Sequence, residues 1–346
     1  MTVYKINPIT DTRWSQFVER HPRASVFHTS EWIQTLYQTY GFEPFVLTTT
    51  HPGLPLTNGI PFCQVSSWLG RQRLVSLPFS DHCAPLVDDS NQMNDLLVYL
   101  QGNCELEGWK SIELRAAETA TLDALSFEQE STFCWHKLDL RPDLDRIFDN
   151  FHKDCVQRKI QRAEREQLVE EKGRSEELLN KFYHLLLKTR RRHGLPPQPF
   201  AWFRNLIACL GEKATLRVVS KDDRPVAGIL TLRHKHSLVY KYGCSDERFN
   251  HLGGMQMLLW NAIREGKHQH LSELDLGRSD LNQEGLITFK DRWGATRTKL
   301  VYQVYPHSGF QALRSAWQAM FSKLVFAWMP DSLLAASGRA LYKYMG

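Results

Sequence analysis

The sequence predicts a mixed α/β protein of two similarly ordered halves, each a mainly antiparallel mixed sheet flanked by helices, followed by a helical tail. Three observations lead there. The chain has 346 residues, more than the roughly one to two hundred that a single core commonly serves, so two domains are expected. Its apolar share of 42% and aromatic share of 11% are those of a protein with filled cores, which excludes a disordered chain. The same order of alternating and helical patterns then occurs twice.

In the first half, strands are expected near Phe45 to Thr49 and Gly59 to Gln64. An amphipathic segment from Gln92 to Glu107 follows, with Met93, Leu96, Leu97 and Leu100 at helical spacing, and then a strand from Ser111 to Leu114. The second half opens with a single six-turn helix from Leu144 to Glu166 and a helix from Ser175 to Arg192. Alternating runs at Thr215 to Val219, Ala227 to Arg233 and Ser237 to Tyr242 read as consecutive antiparallel strands, joined by turns at Asp222-Asp223-Arg224-Pro225 and His234-Lys235-His236. A helix from Gly254 to Lys267 buries Met255, Leu258, Leu259, Ala262 and Ile263, and the strand Glu273 to Leu276 follows it. Arg141-Pro142-Asp143 supplies a helix start, so the domains are expected at 1–143 and 144–306, with an amphipathic tail at 307–346.

Composition narrows the chemistry. The formal charge of +5 suits an anionic small molecule, a nucleic acid or an anionic membrane surface, and selects none of them. The seven cysteines are odd in number and lack C-x-x-C spacing, which argues against a disulfide framework and against a zinc site. Nothing in the sequence points to a metal. The N-terminal stretch MTVYKINPITDTRW has no signal-peptide pattern, and no apolar run is long enough to span a bilayer. A cytoplasmic location is expected. In the tail, Leu313, Trp317, Met320, Phe321, Leu324 and Phe326 form an apolar band broken by Pro330, read either as packing across the two domains or as a peripheral anchor at the inner membrane face.

An antiparallel meander, a helix and a strand in an order found twice, with the helix opened by glycines in the second half only, resemble the GNAT superfamily of N-acyltransferases, and within it the FemAB-type aminoacyltransferases with their paired GNAT-like domains. Four stretches carry the resemblance: SLPFSDHCAPLV (76–87), CVQRKIQRAERE (155–166), KTRRRHGLPPQP (188–199) and LDLGRSDLNQEGLITFKDRWGA (274–295). The resemblance implies a transferase that forms an amide on an amine of a cell-envelope precursor, related to peptidoglycan or exopolysaccharide. The donor would be aminoacyl-tRNA, or acyl-CoA if the acceptor is an amino sugar. A binding protein that keeps the fold without the chemistry is a third reading. Partners implied are an anionic or lipid-linked precursor and tRNA; DNA is not expected.

Site residues follow from these stretches. Lys290, flanked by Phe289, Arg292 and Trp293, matches an F-K pair in the family, and the resemblance implies that its ammonium steadies the oxyanion formed when an amine attacks an ester. Asp81 or His82 would orient the amine or take its proton in a cleft between the domains. Arg158, Lys159, Arg162 and Arg165 form a basic stripe, opposite Val156, Ile160 and Ala163, suited to a diphosphate or an RNA backbone. Arg190, Arg191 and Arg192 end a helix, and the resemblance implies that one of them, with Arg191 taken as the candidate, faces the substrate. Tyr240 and Tyr242, two apart on a strand, are expected to share one face, with one of them lining the cleft. Arg278 is expected to begin the loop after the strand end. Gly253 and Gly254 occupy the turn where the family's Q/R-x-x-G-x-G/A motif cradles a pyrophosphate, with only the first glycine in register.

Overall fold

A computed structural model describes residues 2–66, 72–115, 127–306 and 329–345 of the chain. The apolar band expected between Leu313 and Phe326 lies outside the described residues. In chain order the elements are β1 (Tyr4–Ile6), α1 (Thr12–Arg20), α2 (Ser30–Tyr40), β2 (Glu43–Thr48), β3 (Ile60–Ser66), β4 (Gln72–Val75), α3 (Ser90–Asn103), β5 (Trp109–Leu114) and β6 (Glu128–Asp139). There follow α4 (Leu144–Asp149), α5 (Arg158–Arg165), β7 (Val169–Gly173), α6 (Glu176–His193), α7 (Phe200–Leu210), β8 (Ala214–Lys221), β9 (Arg224–His234) and β10 (Ser237–Ser245). Last come α8 (Gly254–His268), β11 (Glu273–Asp280), α9 (Glu284–Asp291), β12 (Thr296–Tyr305) and α10 (Asp331–Met345).

The chain divides into two compact units. Among the described residues, one holds everything up to Phe133, with 299–306 and the chain end from Ala340; the other holds 134–298 and 329–339. The division therefore falls inside β6 and β12 and not at residue 143, because both strands hydrogen-bond beyond the half of the sequence they come from.

In the first unit β1 to β4 run antiparallel, β5 joins β4 in parallel after α3, and β12 closes on β5 antiparallel, pairing Val304 with Glu113. Strand alternation feeds two cores. Phe45, Leu47, Ile60, Phe62 and Leu74 pack with Leu96, Leu97 and Leu100 of α3, while Val46 joins Trp14, Phe17 and Val18 of α1. Truncating one such leucine to alanine costs about 2–5 kcal/mol. The helices start where short polar side chains accept first-turn amides: Asp11 from Arg13, Thr29 from Trp32 and Asp89 from Gln92.

The second unit repeats this plan. Strands β7 to β10 run antiparallel, β11 joins β10 in parallel after α8, and β6 lies beside β11. On one face, Leu258, Leu259, Ala262 and Ile263 of α8 and Ile160 and Ala163 of α5 pack against Val219, Ala227 and Ile229. On the other, Phe182 of α6 reaches toward Gly228, and Phe203 of α7 meets the ring of Tyr242.

Two expectations need correction. The helix from Leu144 to Glu166 is not continuous: α4 stops at Asp149, and His152 adopts an extended backbone while its Nδ1 accepts the amides of Asp154 and Cys155, capping a new, wider turn that runs into α5. Tyr240 and Tyr242 do not share a face. The register of β10 against β9 jumps from Tyr240↔Thr231 to Tyr242↔Leu230, leaving Lys241 as a bulge. The extra residue turns Tyr240 toward Met255 of α8, while Tyr242 accepts Trp202 Nε1 of α7 at 2.9 Å.

Gly253 sets how closely α5 can approach α8. Its φ is +84°, and a Cβ there would run into the carbonyl of Lys159. Gly253→Ala is therefore expected to cost about 1–2 kcal/mol for the left-handed backbone and more for displacing α5. Urea unfolding checks this; a loss below about 1 kcal/mol would show that α5 yields freely.

Candidate active site

The end of β11 is built around two buried opposite charges. Gly277 adopts φ +70°, which aims its amide back at Asp275 Oδ1, 2.7 Å away. Its carbonyl, and that of Arg278, point to the Lys290 ammonium at 2.8 and 3.0 Å. Asp275 and Lys290 are each 2% exposed. Trp135 of β6 donates its indole N–H to the same Asp275 oxygen at 2.7 Å. A buried charge is costly unless it is hydrogen-bonded, and here each charge holds Gly277 from one side.

Lys290 is the next-to-last residue of α9. Phe289 packs against the core and faces the ring of Trp293 edge-on. Trp293 is fully buried against Phe151, and His152 donates its amide to the Arg292 carbonyl. These contacts turn Lys290 inward, which excludes a solvated lysine on an exposed turn. The Arg292 side chain is exposed. Arg278 lies within β11, which continues to Asp280 and does not stop at Leu276.

Beside this pair lies a second polar group that sequence reasoning missed. His136 Nε2 sits 3.2 Å from Asp291 Oδ1, and Asp291 also accepts Arg297 Nε at 2.6 Å. The hydrogen bond from Arg297 holds the Asp291 carboxyl below the usual carboxylate range. Burial pushes the His136 pKa down, outweighing the bond to Asp291. Cys134 Sγ lies 3.7 and 3.8 Å from the two ring nitrogens of His136. That near-equal spacing aligns the thiol with neither lone pair, and burial raises its pKa, so it is not arranged as a nucleophile. The signal for this group was the β-prone run TFCWHKLDL, whose alternation places Cys134 and His136 on one face and Trp135 and Lys137 on the other.

The loop carrying Asp81 and His82 is strained and clamped. Leu77 and Phe79 have φ of 55° and 61°, a conformation that costs non-glycine residues about 1–3 kcal/mol each. Buried Arg115 holds the loop, donating Nη1 to the carbonyls of Leu77 at 3.2 Å and Ser80 at 3.1 Å, while Ser80 Oγ donates to Leu77. Tyr302 donates its hydroxyl to the Asp81 carbonyl at 2.7 Å. His82 is buried edge-on to Phe27; Asp81 is half-buried.

The remaining candidates disperse. Arg158, Arg162 and Arg165 stand exposed on α5, with Arg158 paired to Asp154 at 2.5 Å and Arg162 to Glu166 at 3.5 Å; Lys159 Nζ donates to the His251 carbonyl at 3.2 Å. Arg158 and Arg165 line an open depression with Gln161 and Glu164. Arg191 is tied to Asp331 and the Met329 carbonyl at the start of α10. Tyr240 and Tyr242 are both built into packing, on opposite faces. Gly253 is occupied by its contact with α5, and Gly254 opens α8 against Val219.

With this geometry established, relatives become informative. Residues 152–291 match the acetyltransferase (GNAT) domain family. No curated protein sequence matches the chain. Among solved structures the chain is similar to a crystal structure of FemX, with a TM-score of 0.70 and 14% identity over 87% of this chain and 97% of that one. It is also similar to a lysylphosphatidylglycerol synthetase-type C-terminal domain (DUF2156) from Agrobacterium fabrum, with a TM-score of 0.57 and 13% identity over 89% and 95%. A tandem GNAT protein from the clavulanic acid biosynthesis pathway gives 0.55 and 10% over 88% and 98%. At these identities the likeness establishes the fold, which is tandem GNAT-like, and the matched GNAT domain makes the chain an acyltransferase. Lys290 and the end of β11 fall within this domain.

The electrostatics give a pH dependence. The unfolded chain protonates its histidine near the ordinary value of 6.5, whereas folded His136 resists protonation. Its contribution to stability is present above that value and is lost as pH falls through the depressed one. Asp291, depressed below 3.8, adds a second loss at lower pH. Denaturant unfolding from about pH 8 to about pH 4 should show the first decline in the wild type and a flatter curve in His136→Gln; equal slopes would refute the assignment.

Proposed function

We propose that the chain is a FemAB-type transferase that forms an amide on an amine of a cell-envelope precursor, related to peptidoglycan or exopolysaccharide, by attack on an activated acyl or aminoacyl ester. The observation that carries this reading is Lys290, an ammonium fixed by two backbone carbonyls at the carboxyl end of a GNAT-domain strand. Strand ends of helix-flanked sheets favour ligand binding, and a cation held in place there needs no rearrangement as charge develops.

In the proposed reaction the neutral amine nitrogen bonds to the ester carbonyl carbon and an oxyanion forms. The C–N bond is kept as the C–O bond of the ester breaks, and the leaving alkoxide takes up a proton while the new amide nitrogen loses one. Lys290 stabilises the oxyanion through its field. Asp81, on its clamped loop, is the proposed acceptor of the amine proton; His82, packed against Phe27, is the weaker candidate. The exposed cations of α5 would hold an anionic donor or acceptor.

A second reading takes acyl-CoA as donor and an amino sugar as acceptor. It draws support from the GNAT domain match and from the start of α8, where first-turn amides lack intrahelical acceptors and Lys159 stands beside His251. Calorimetry with acyl-CoA against charged tRNA separates the two: saturable binding of CoA alone selects the second. Comparing the masses of envelope precursors with and without the gene identifies the transferred group.

Lys290→Ala is expected to lower kcat about 10²–10³-fold. Because it also leaves two carbonyls unpaired, a stability loss of about 2–4 kcal/mol should accompany it. Measuring kcat on the folded fraction, with circular dichroism to define that fraction, separates the effects. An unchanged kcat there would defeat the catalytic role and leave a structural one.

A further inference from the structure

A concavity of about 330 Å³ opens in the second unit between the C-terminal half of α8 and the adjoining ends of β7, β8, β9 and β10. None of its lining residues belongs to the Lys290 group. Five cations line it, Lys172, Arg174, Lys213, Arg217 and Arg233, against two carboxylates, Glu212 and Glu265.

The internal pairing leaves this imbalance in place. Arg217, 5% exposed, donates Nη1 to Glu170 at 2.5 Å and Nη2 to Glu265, and Lys172 reaches the same Glu265 oxygen at 2.7 Å. These pairs neutralise the inner wall. Arg174 has no acidic partner among the described residues, and Arg233 bonds only the neutral Gln269 side chain, at 3.3 Å. Glu212, exposed at the rim, offsets one charge and leaves the lining positive. The pocket also lies at the C-terminal end of α8, where the helix dipole favours cations. The dipole explains one or two nearby cations. It does not explain two guanidiniums without acids on β9 and after β7, facing a cavity that can hold a ligand.

We propose that this pocket is a binding site for a small oxyanion, a phosphate or carboxylate group, gripped by Arg174 and Arg233. Guanidinium forks match the oxygens of either group bidentately, and a volume of this size admits a small metabolite bearing one. The site is separate from the proposed chemistry: its residues lie at the amino end of β10, whereas Lys290 serves the carboxyl end of β11.

Calorimetry on the full chain with inorganic phosphate, pyrophosphate and citrate tests the proposal. The wild type should show saturable binding of at least one probe, weakening as salt rises, and the phosphate and citrate arms distinguish the two ligand classes. Arg174→Ala with Arg233→Ala should weaken binding about tenfold or more, the loss expected for one charge-assisted bond. Arg141→Ala with Arg146→Ala, which removes as much charge from exposed positions at the start of α4, should leave it unchanged. Absence of saturable binding by all three probes would overturn the site, as would binding kept in the pocket variant. Both Arg174 and Arg233 are solvent-accessible, and thermal unfolding verifies that the variants fold.

Discussion

Much of the second unit depends on Gly277 being held from both sides. The Asp275 carboxylate takes its amide and the Lys290 ammonium takes its carbonyl. Neither charge could stay buried alone, since an ion removed from water costs several kcal/mol unless hydrogen bonds replace its hydration. Trp135 completes the carboxylate from β6. The consequence is geometric as well as energetic: the strand end, the short helix α9 and β6 are fixed to one another by polar bonds whose partners have no water to exchange with.

The sheet beneath gains its two-sidedness from small departures from regularity. A bulge at Lys241 sends Tyr240 to the α8 face and Tyr242 to the α7 face, so each helix layer receives an aromatic anchor from adjacent turns of one strand. At Gly253 the absence of a side chain lets the backbone of α5 lie directly on the start of α8. Both features draw α5 and α8 against the sheet, and α5 carries its cations outward because Ile160 and Ala163 are committed inward.

How much of this was legible in the sequence follows from which signals are local. The antiparallel run β8 to β10, the glycine-opened α8 and the apolar face of α5 were readable because periodicity and turn residues are local properties. The break at His152 was not, since an imidazole replacing a backbone acceptor leaves the helical periodicity intact. The pairing of β6 with β11 was not either: Trp135 and Asp275 are 140 residues apart, and nothing local announces their bond. For Lys290, the flanking aromatic residues gave its neighbourhood, but its burial depends on carbonyls oriented by Gly277, whose left-handed backbone is one of several conformations glycine accepts. Arg115 escaped notice for a similar reason, because its role rests on the strained loop of Leu77 and Phe79 rather than on any motif.

The placement of charge along β10 and β11 follows from what a sheet leaves open. The β10–β11 register runs from Ser237↔Glu273 to Val239↔Asp275, so Gly277 and Arg278 lie beyond it, where backbone groups bond side chains instead of β10. Leu238, beside the cationic pocket, pairs with Leu274, and Gly277 lies three residues further along, about 10 Å at the rise of a strand. The two polar regions thus occupy opposite ends of the same short parallel pair, separated by apolar residues such as Leu274 and Leu276 that admit no solvent. Over that distance and through a packed core, a charge acts on another by its field alone. A cation at the carboxyl end must therefore derive its orientation from its own carbonyls, as Lys290 does from Gly277 and Arg278, and not from whatever occupies the far end.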